Sequence, residues 1–308
     1  MKHTLIISLL LLAFGCSTSH GAKTSGVKEA GDQKTDSTTG TLWDFIPRGA
    51  AAILMVDFRH MPKSARVACG ALCAIAAPVK KAAGPHQGIT AWYPRGALLH
   101  AWSFGNPGAA PKNAATHRDI PLVIRGESAL AYYPGDFLVW GSTFRVRLAL
   151  DLRKGIEGTG ARVSRDFSMA MKGIVGGITP SGIFVFRAKE PLTPLLKILA
   201  GGTPPLRGAL ALRFPPGWTT LTGVMEFPSI GMAEAFIAKL RARLASALAA
   251  SPMKNYPWLA VLHPLSIHPE GRNVYIQWAA RLEIFNTLLT ATRPLLSRLR
   301  AELAGLTP

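Results

Sequence analysis

Aromatic and cationic side chains crowd together between residues 84 and 118: Trp92, Tyr93, Arg95, His100, Trp102, Phe104, Lys112, His117 and Arg118. Rings set beside cations can stack on sugars or lie at a membrane interface, each ring offering an apolar body and a polar tip. The same mixture suits nucleobases. Trp92, Tyr93, Arg95, Trp102, Lys112 and Arg118 are the candidate binding residues. The competing account is that the tryptophans pin loops to a core. A second patch of this kind holds Lys254, Tyr256, Trp258 and His263.

Motifs for catalysis are missing. His117-Arg118-Asp119 resembles the catalytic loop of protein kinases, but Ile124 stands where that loop needs Asn, and no Gly-rich phosphate loop accompanies it. The glycines of 155–160 have neither dinucleotide nor P-loop spacing. The chain has no Gly-x-Ser-x-Gly elbow and no His-Glu-x-x-His. Its few acidic residues are scattered, against a paired-carboxylate hydrolase. Cys69 and Cys73 lie four residues apart in an Ala-rich stretch. They would share one face of a helix, as core residues, as a strained disulfide or, least well supported by the neighbouring residues, as metal ligands. The reading is therefore of a protein that binds or scaffolds without a cofactor or metal. An enzyme whose site is assembled from distant residues is the reading this leaves standing.

The elements that would position these residues follow from apolar spacing. Ala51–Phe58 reads as a buried strand, followed by an Ala-rich helix from Pro62 to Pro78. Residues 84–118 show no period and read as a long loop. Strands are expected at Pro121–Arg125, Ala129–Tyr133, Phe137–Gly141 and Gly182–Phe186, with helices at Phe144–Arg153, Ser164–Ile174 and Pro191–Leu199. Gly201-Gly202-Thr203-Pro204-Pro205 breaks the chain, dividing an N-terminal domain (42–205) from a C-terminal one (206–308). In the latter, strands at Gly208–Phe214 and Thr219–Phe227 precede a helix over 231–250. Its Phe236, Ile237, Leu240, Leu244 and Leu248 fall on one face. Two more strands, near 260–267 and 273–279, lead to a Leu-rich helix over 282–303 that Pro294 interrupts. Strand pairs joined by short turns, with helices between, predict an α+β fold: antiparallel sheets with helices packed on one face. Val56-Asp57-Phe58 and Met225-Glu226-Phe227 each precede a helix in this reading, the echo a duplicated unit would leave.

Charge is lopsided. Of 35 basic and 17 acidic residues, four and three lie in the first 41, leaving 31 against 14 and a net of +17 in residues 42–308. A positive field of that size favours anionic partners. Scattered arginine also serves simply to keep a surface soluble. At 48% hydrophobic and 17% charged the composition is that of a globular protein.

The N-terminus carries an address. Lys2 precedes the apolar run Leu5–Phe14, and Gly15-Cys16 closes it. This is the plan of a secretory signal, too short for a membrane span, which needs about 20 apolar residues. Ala13-Phe14-Gly15-Cys16 resembles the lipobox of bacterial lipoproteins, with Phe14 bulkier than the small residue usual there. The resemblance implies removal of residues 1–15 and diacylation of Cys16, which then anchors the protein in a membrane. Ser17, where Asp would favour inner-membrane retention in that family, implies the outer membrane. Residues 16–41 hold one valine, no aromatic residue, and many Ser, Thr, Gly and Lys. Such a segment buries too little to order itself and reads as a disordered tether, with an end-to-end distance of roughly 25–30 Å. The expected partners follow from this address: the membrane, through the lipid; an anionic lipid, lipopolysaccharide or wall polymer, through the charge; or other envelope proteins, as a subunit of an assembly. Nucleic acid is disfavoured by the same address.

Overall fold

A computed structural model describes residues 42–63, 85–94, 97–156, 180–188, 204–250 and 265–286. Twelve strands form one sheet in which every pairing is antiparallel. They are β1 (Ala52–Asp57), β2 (Pro85–Trp92), β3 (Leu98–Phe104), β4 (Ala115–His117), β5 (Ile120–Arg125), β6 (Ser128–Tyr133), β7 (Phe137–Ser142), β8 (Gly182–Arg187), β9 (Arg207–Arg213), β10 (Trp218–Glu226), β11 (Ser266–Glu270) and β12 (Asn273–Arg281). Their order is β11-β12-β10-β9-β8-β1-β2-β3-β7-β6-β5-β4. Two α-helices described over their whole length accompany them, α1 (Thr143–Arg153) and α2 (Ile230–Ala250), with a 3-10 turn at Phe58–His60 and helical residues 282–286 after β12.

The fold is therefore largely β, which corrects the expected α+β class. The error has a local cause. The stretch expected to be a loop, 84–118, contains β2, β3 and β4. Alternation was hidden there because buried positions carry polar residues, Gln87, Thr90 and Ser103. Elsewhere apolar runs marked the strands well: β1, β5 to β10 and β12 lie within a residue or two of their expected places. β11 begins at Ser266, at the end of the span expected for it. The helices expected at 62–78, 164–174 and 191–199 lie almost wholly outside the described residues, as does most of the one expected at 282–303. β8 and β9, on either side of the expected division at 205, pair directly through Phe184↔Leu210.

Because strand side chains alternate between faces, the sheet has two differently furnished sides. One carries Ile53, Met55, Ile89, Leu99, Val139 and Val185, covered by Val146, Ala149 and Leu150 of α1 and by Leu42, Phe45 and Ile46. Phe45 meets Tyr133 edge to face, with centroids 5.0 Å apart. The other side carries Val56, Trp102, Leu138 and Trp140, with Phe58 and Met61 packed on them. Further along it Val274 and Ile267 receive Ala233, Phe236 and Ile237 of α2, on the helical face that the spacing predicted. Gly88 lies opposite Trp102, and a Cβ on it would stand 2.2 Å from Trp102 Cδ2; only glycine lets the indole lie across β2. Both sheet edges are poor templates for another strand: β4 has three residues and β11 contains Pro269.

Candidate functional site

The sequence-derived binding residues are dispersed by the fold. Tyr93 is fully buried; its hydroxyl donates to the Pro47 carbonyl at 3.0 Å, and the Arg145 guanidinium lies 4.1 Å from its ring centroid. Burial pushes the phenol well above its ordinary pKa, against the pull of Arg145. Trp102 is buried beside Phe58 and Trp140 on the opposite side of the sheet. Trp92 is partly buried and meets Phe184 edge-on at 6.3 Å. Lys112 is exposed in the segment between β3 and β4. Arg95 and the second patch, Lys254, Tyr256, Trp258 and His263, lie outside the described residues, as do Cys16, Cys69 and Cys73.

Arg118 has a structural engagement that its sequence context did not suggest. His117 and Ile120 pair across a two-residue turn, whose central residues Arg118 and Asp119 have φ of 54° and 66°. This is the backbone of a tight hairpin turn that ordinarily takes Asn-Gly. α1 holds it: Asp151 Oδ1 accepts from Arg118 Nε at 3.0 Å and lies 3.0 Å from His117 Nε2. Lys154 Nζ donates to the Arg118 carbonyl and lies 3.7 Å from Asp119 Oδ2. The kinase-like tripeptide is thus a turn clamped to a helix.

Two polar groups, one buried and one half-buried, were not visible as such in the sequence. Asp57, 2% exposed, accepts from the Arg59 backbone N–H at 3.0 Å, from Arg59 Nε at 3.2 Å and Nη2 at 3.0 Å, and from Gln87 Nε2 at 2.5 Å. His60 Nδ1 is 3.0 Å from Asp57 Oδ2. Burial raises the Asp57 pKa, but the hydrogen bonds from Arg59 and Gln87 and the charges of Arg59 and His60 outweigh it, so the net shift is downward. An Asp–His pair can orient a base for nucleophilic chemistry. Here the nearby hydroxyl of Ser181 is committed elsewhere, donating to the His60 carbonyl at 2.8 Å. The second group is His100: its Nδ1 lies 2.9 Å from Thr90 Oγ1, and burial pulls its pKa down to about 4. Among the described residues no cluster of three or more His, Cys, Asp or Glu could hold a metal ion, and no helix is long and apolar enough to cross a membrane.

The surface feature with most unspent potential lies where α1 begins. Phe144 is 68% exposed, and Ile124 of β5 is 41% exposed. Arg125 and Arg147 are exposed, without a carboxylate partner among the described residues. The two segments are joined, since Thr143 donates to the Glu127 carbonyl from its N–H at 2.7 Å and its hydroxyl at 3.0 Å.

No protein-family model matches the chain, and no curated protein matches it. Among solved structures, crystal form I of TP0453 is similar with a TM-score of 0.48 and 10% identity, over 81% of this chain and 96% of that one. Crystal form III gives 0.44 and 13% identity, over 81% and 97%; form IV gives 0.44 and 10%, over 80% and 95%. A likeness of this size carries no argument about fold or function.

Proposed function

We propose that this chain is a lipid-anchored protein of the bacterial envelope, of binding or scaffolding type, that contacts an anionic envelope component and needs no cofactor. The observation that carries the reading is the placement of Cys16, at the end of a short apolar run and the start of a polar stretch. Acylated there, the mature chain is held at a membrane, and Ser17 favours the outer one. The net charge of +17 over residues 42–308 supports an anionic partner: phospholipid headgroups, lipopolysaccharide or a wall polymer. A second reading, a subunit of an envelope protein assembly, draws on a specific observation. Leu206, Ile230 and Met232 are 44%, 55% and 39% exposed near one end of β9 and β10, and exposed apolar side chains of that kind suit a protein partner.

The test is intact mass together with membrane fractionation of the protein made in a bacterium, wild type beside Cys16→Ala. Loss of residues 1–15, gain of acyl mass and sedimentation with membranes in the wild type alone would support the anchor. Two soluble, unacylated proteins would sink it and make nucleic acid the next partner to try.

A further inference from the structure

We infer that the surface formed by the β5–β6 turn and the first turn of α1 is a contact site for an anionic lipid bilayer, with Phe144 entering the apolar layer and Arg125, Arg145 and Arg147 meeting the headgroup phosphates. This deepens the preceding proposal by naming the partner of one surface, and it rests on that proposal only for the membrane being near.

Phe144 has the greatest exposure of any large apolar side chain among the described residues, 68%, and Ile124 adds a second apolar group. Ile124 lies opposite Ala129, which lies opposite Gly141, so three strands separated by about 4.8 Å each bring Ile124 beside the start of α1. The platform is rigid. Thr143 is tied to Glu127. Arg145 is stacked on Tyr93 and stands 5.5 Å from the Phe144 ring centroid. Arg147 is exposed beside Phe144 on α1, as an arginine that snorkels to headgroups must be. Arg125, exposed at the end of β5, alternates to the face opposite Ile124 and flanks the patch at the rim of the sheet.

Charge complementarity selects the partner. Residues 125–128, from the end of β5 through the turn, and 143–147 of α1 contain three arginines and one acidic residue, Glu127. α1 has no acidic side chain in its first turn, and Ser142 makes no side-chain capping bond. The positive end of the helix dipole therefore adds to the arginines instead of being neutralised. A bilayer interface accepts ring and cations together, the ring in the apolar layer and the guanidiniums among the phosphates. Geometry permits simultaneous engagement with the lipid on Cys16. α1 rises about 14 Å from Phe144 to Arg153, whose Nη1 holds Asp44 at 2.6 Å, and the 26 residues of 16–41 extend at most about 94 Å.

The experiment uses the full chain reconstituted in vesicles of phosphatidylcholine with or without phosphatidylglycerol, carrying Phe144→p-benzoylphenylalanine or, on the exposed polar side of β12, Gln277→p-benzoylphenylalanine. Flotation with the vesicles is scored separately from photo-adducts. The expected result is a phospholipid adduct from position 144 with anionic vesicles and none from 277. The yield should fall at least about tenfold in zwitterionic vesicles, at high salt, and in the doubly substituted Arg125→Glu/Arg147→Glu protein. Equal adducts from 144 and 277, indifference to lipid charge, an adduct to protein in place of lipid, or no adduct from 144 with anionic vesicles would each overturn the inference. A protein that floats in every vesicle but gives no adduct at 144 keeps its anchor and loses this contact. One that forms the adduct at low salt yet does not float at high salt keeps the contact and loses the anchor.

Discussion

The His100 imidazole lies flat against the Trp140 indole, with ring centroids 4.9 Å apart and planes 13° from parallel. The two residues are directly opposite on β3 and β7. With Thr90 bonded to Nδ1 on one side and the indole covering the ring, the site suits a neutral imidazole and resists a charged one. The folded-state pKa of about 4 lies below the roughly 6.5 of an unfolded chain.

The sign of the pH dependence follows. Below pH 6.5 the unfolded chain takes up a proton at this residue and the folded chain does not, so the stability contributed by neutral His100 is complete above pH 6.5. It is lost as pH falls toward 4, by up to about 3 kcal/mol. Urea unfolding followed by tryptophan emission should show the midpoint falling across that window. His100→Gln, which keeps a partner for Thr90 and cannot titrate, should flatten the fall. An unchanged slope in the variant would place the titration elsewhere.

Gly88 and Gly231 should respond oppositely to alanine. At Gly88 the new Cβ meets the Trp102 ring at 2.2 Å, and that ring is buried. The β2–β3 pair must splay, with a loss of about 1–3 kcal/mol. At Gly231, in the exposed first turn of α2, a Cβ meets nothing within 4 Å, and alanine should add roughly 0.5 kcal/mol by restricting the unfolded chain. Thermal unfolding of the two variants checks both signs together.

These positions also show what the sequence could and could not reveal. α1 and α2 were legible because Val146, Ala149 and Leu150, and Phe236 and Ile237, repeat at helical spacing and are buried as that spacing requires. β5 to β7 were legible as the short apolar runs Pro121–Arg125, Ala129–Tyr133 and Phe137–Gly141. β2 and β3 were not, because Gln87 and Thr90 occupy interior positions made tolerable by partners far along the chain: Asp57 for Gln87 and His100 for Thr90. No local pattern announces a cross-strand hydrogen bond. The same limit applies to the aromatic and cationic cluster. Tyr93 beside Arg95 reads equally as a surface binding pair or a core anchor until Pro47 and Arg145 close around the phenol. Arg118 reads as a free cation until Asp151, 33 residues later, takes it.

The β4–β5 turn carries removable strain. Asp119 has φ of 66°, and its side chain is fully exposed, with only the 3.7 Å approach of Lys154 to lose. Glycine adopts this backbone without a Cβ penalty and is the residue such turns prefer. Asp119→Gly should stabilise the protein by about 1 kcal/mol, raising Tm by roughly 2–4 °C. Arg118→Gly relaxes a similar φ but leaves Asp151 short of its guanidinium, so its net gain should be smaller. Calorimetry on the two variants separates backbone strain from the ion pair.

Asp57 is the charge on which three strands converge. It ends β1, its N–H donates to the Ser181 carbonyl just before β8, and its carboxylate holds Gln87 of β2 and the guanidinium of Arg59. Asp57→Asn keeps the shape and removes the charge. Arg59 then loses its counter-ion, and one amide hydrogen is turned toward donors. Breaking a buried pair this way costs about 3 kcal/mol, a loss that chemical denaturation at neutral pH would register. The variant should also lose part of the wild-type acid limb. The Asp57 pKa is depressed on folding, so its contribution is complete above the ordinary carboxylate value and disappears as pH falls through the lower folded one. That window lies below the His100 window, and the double variant Asp57→Asn/His100→Gln should lose both limbs independently. Coupling between the two residues in that cycle would mean that the 3-10 turn and the Trp140 side of the sheet open as one unit.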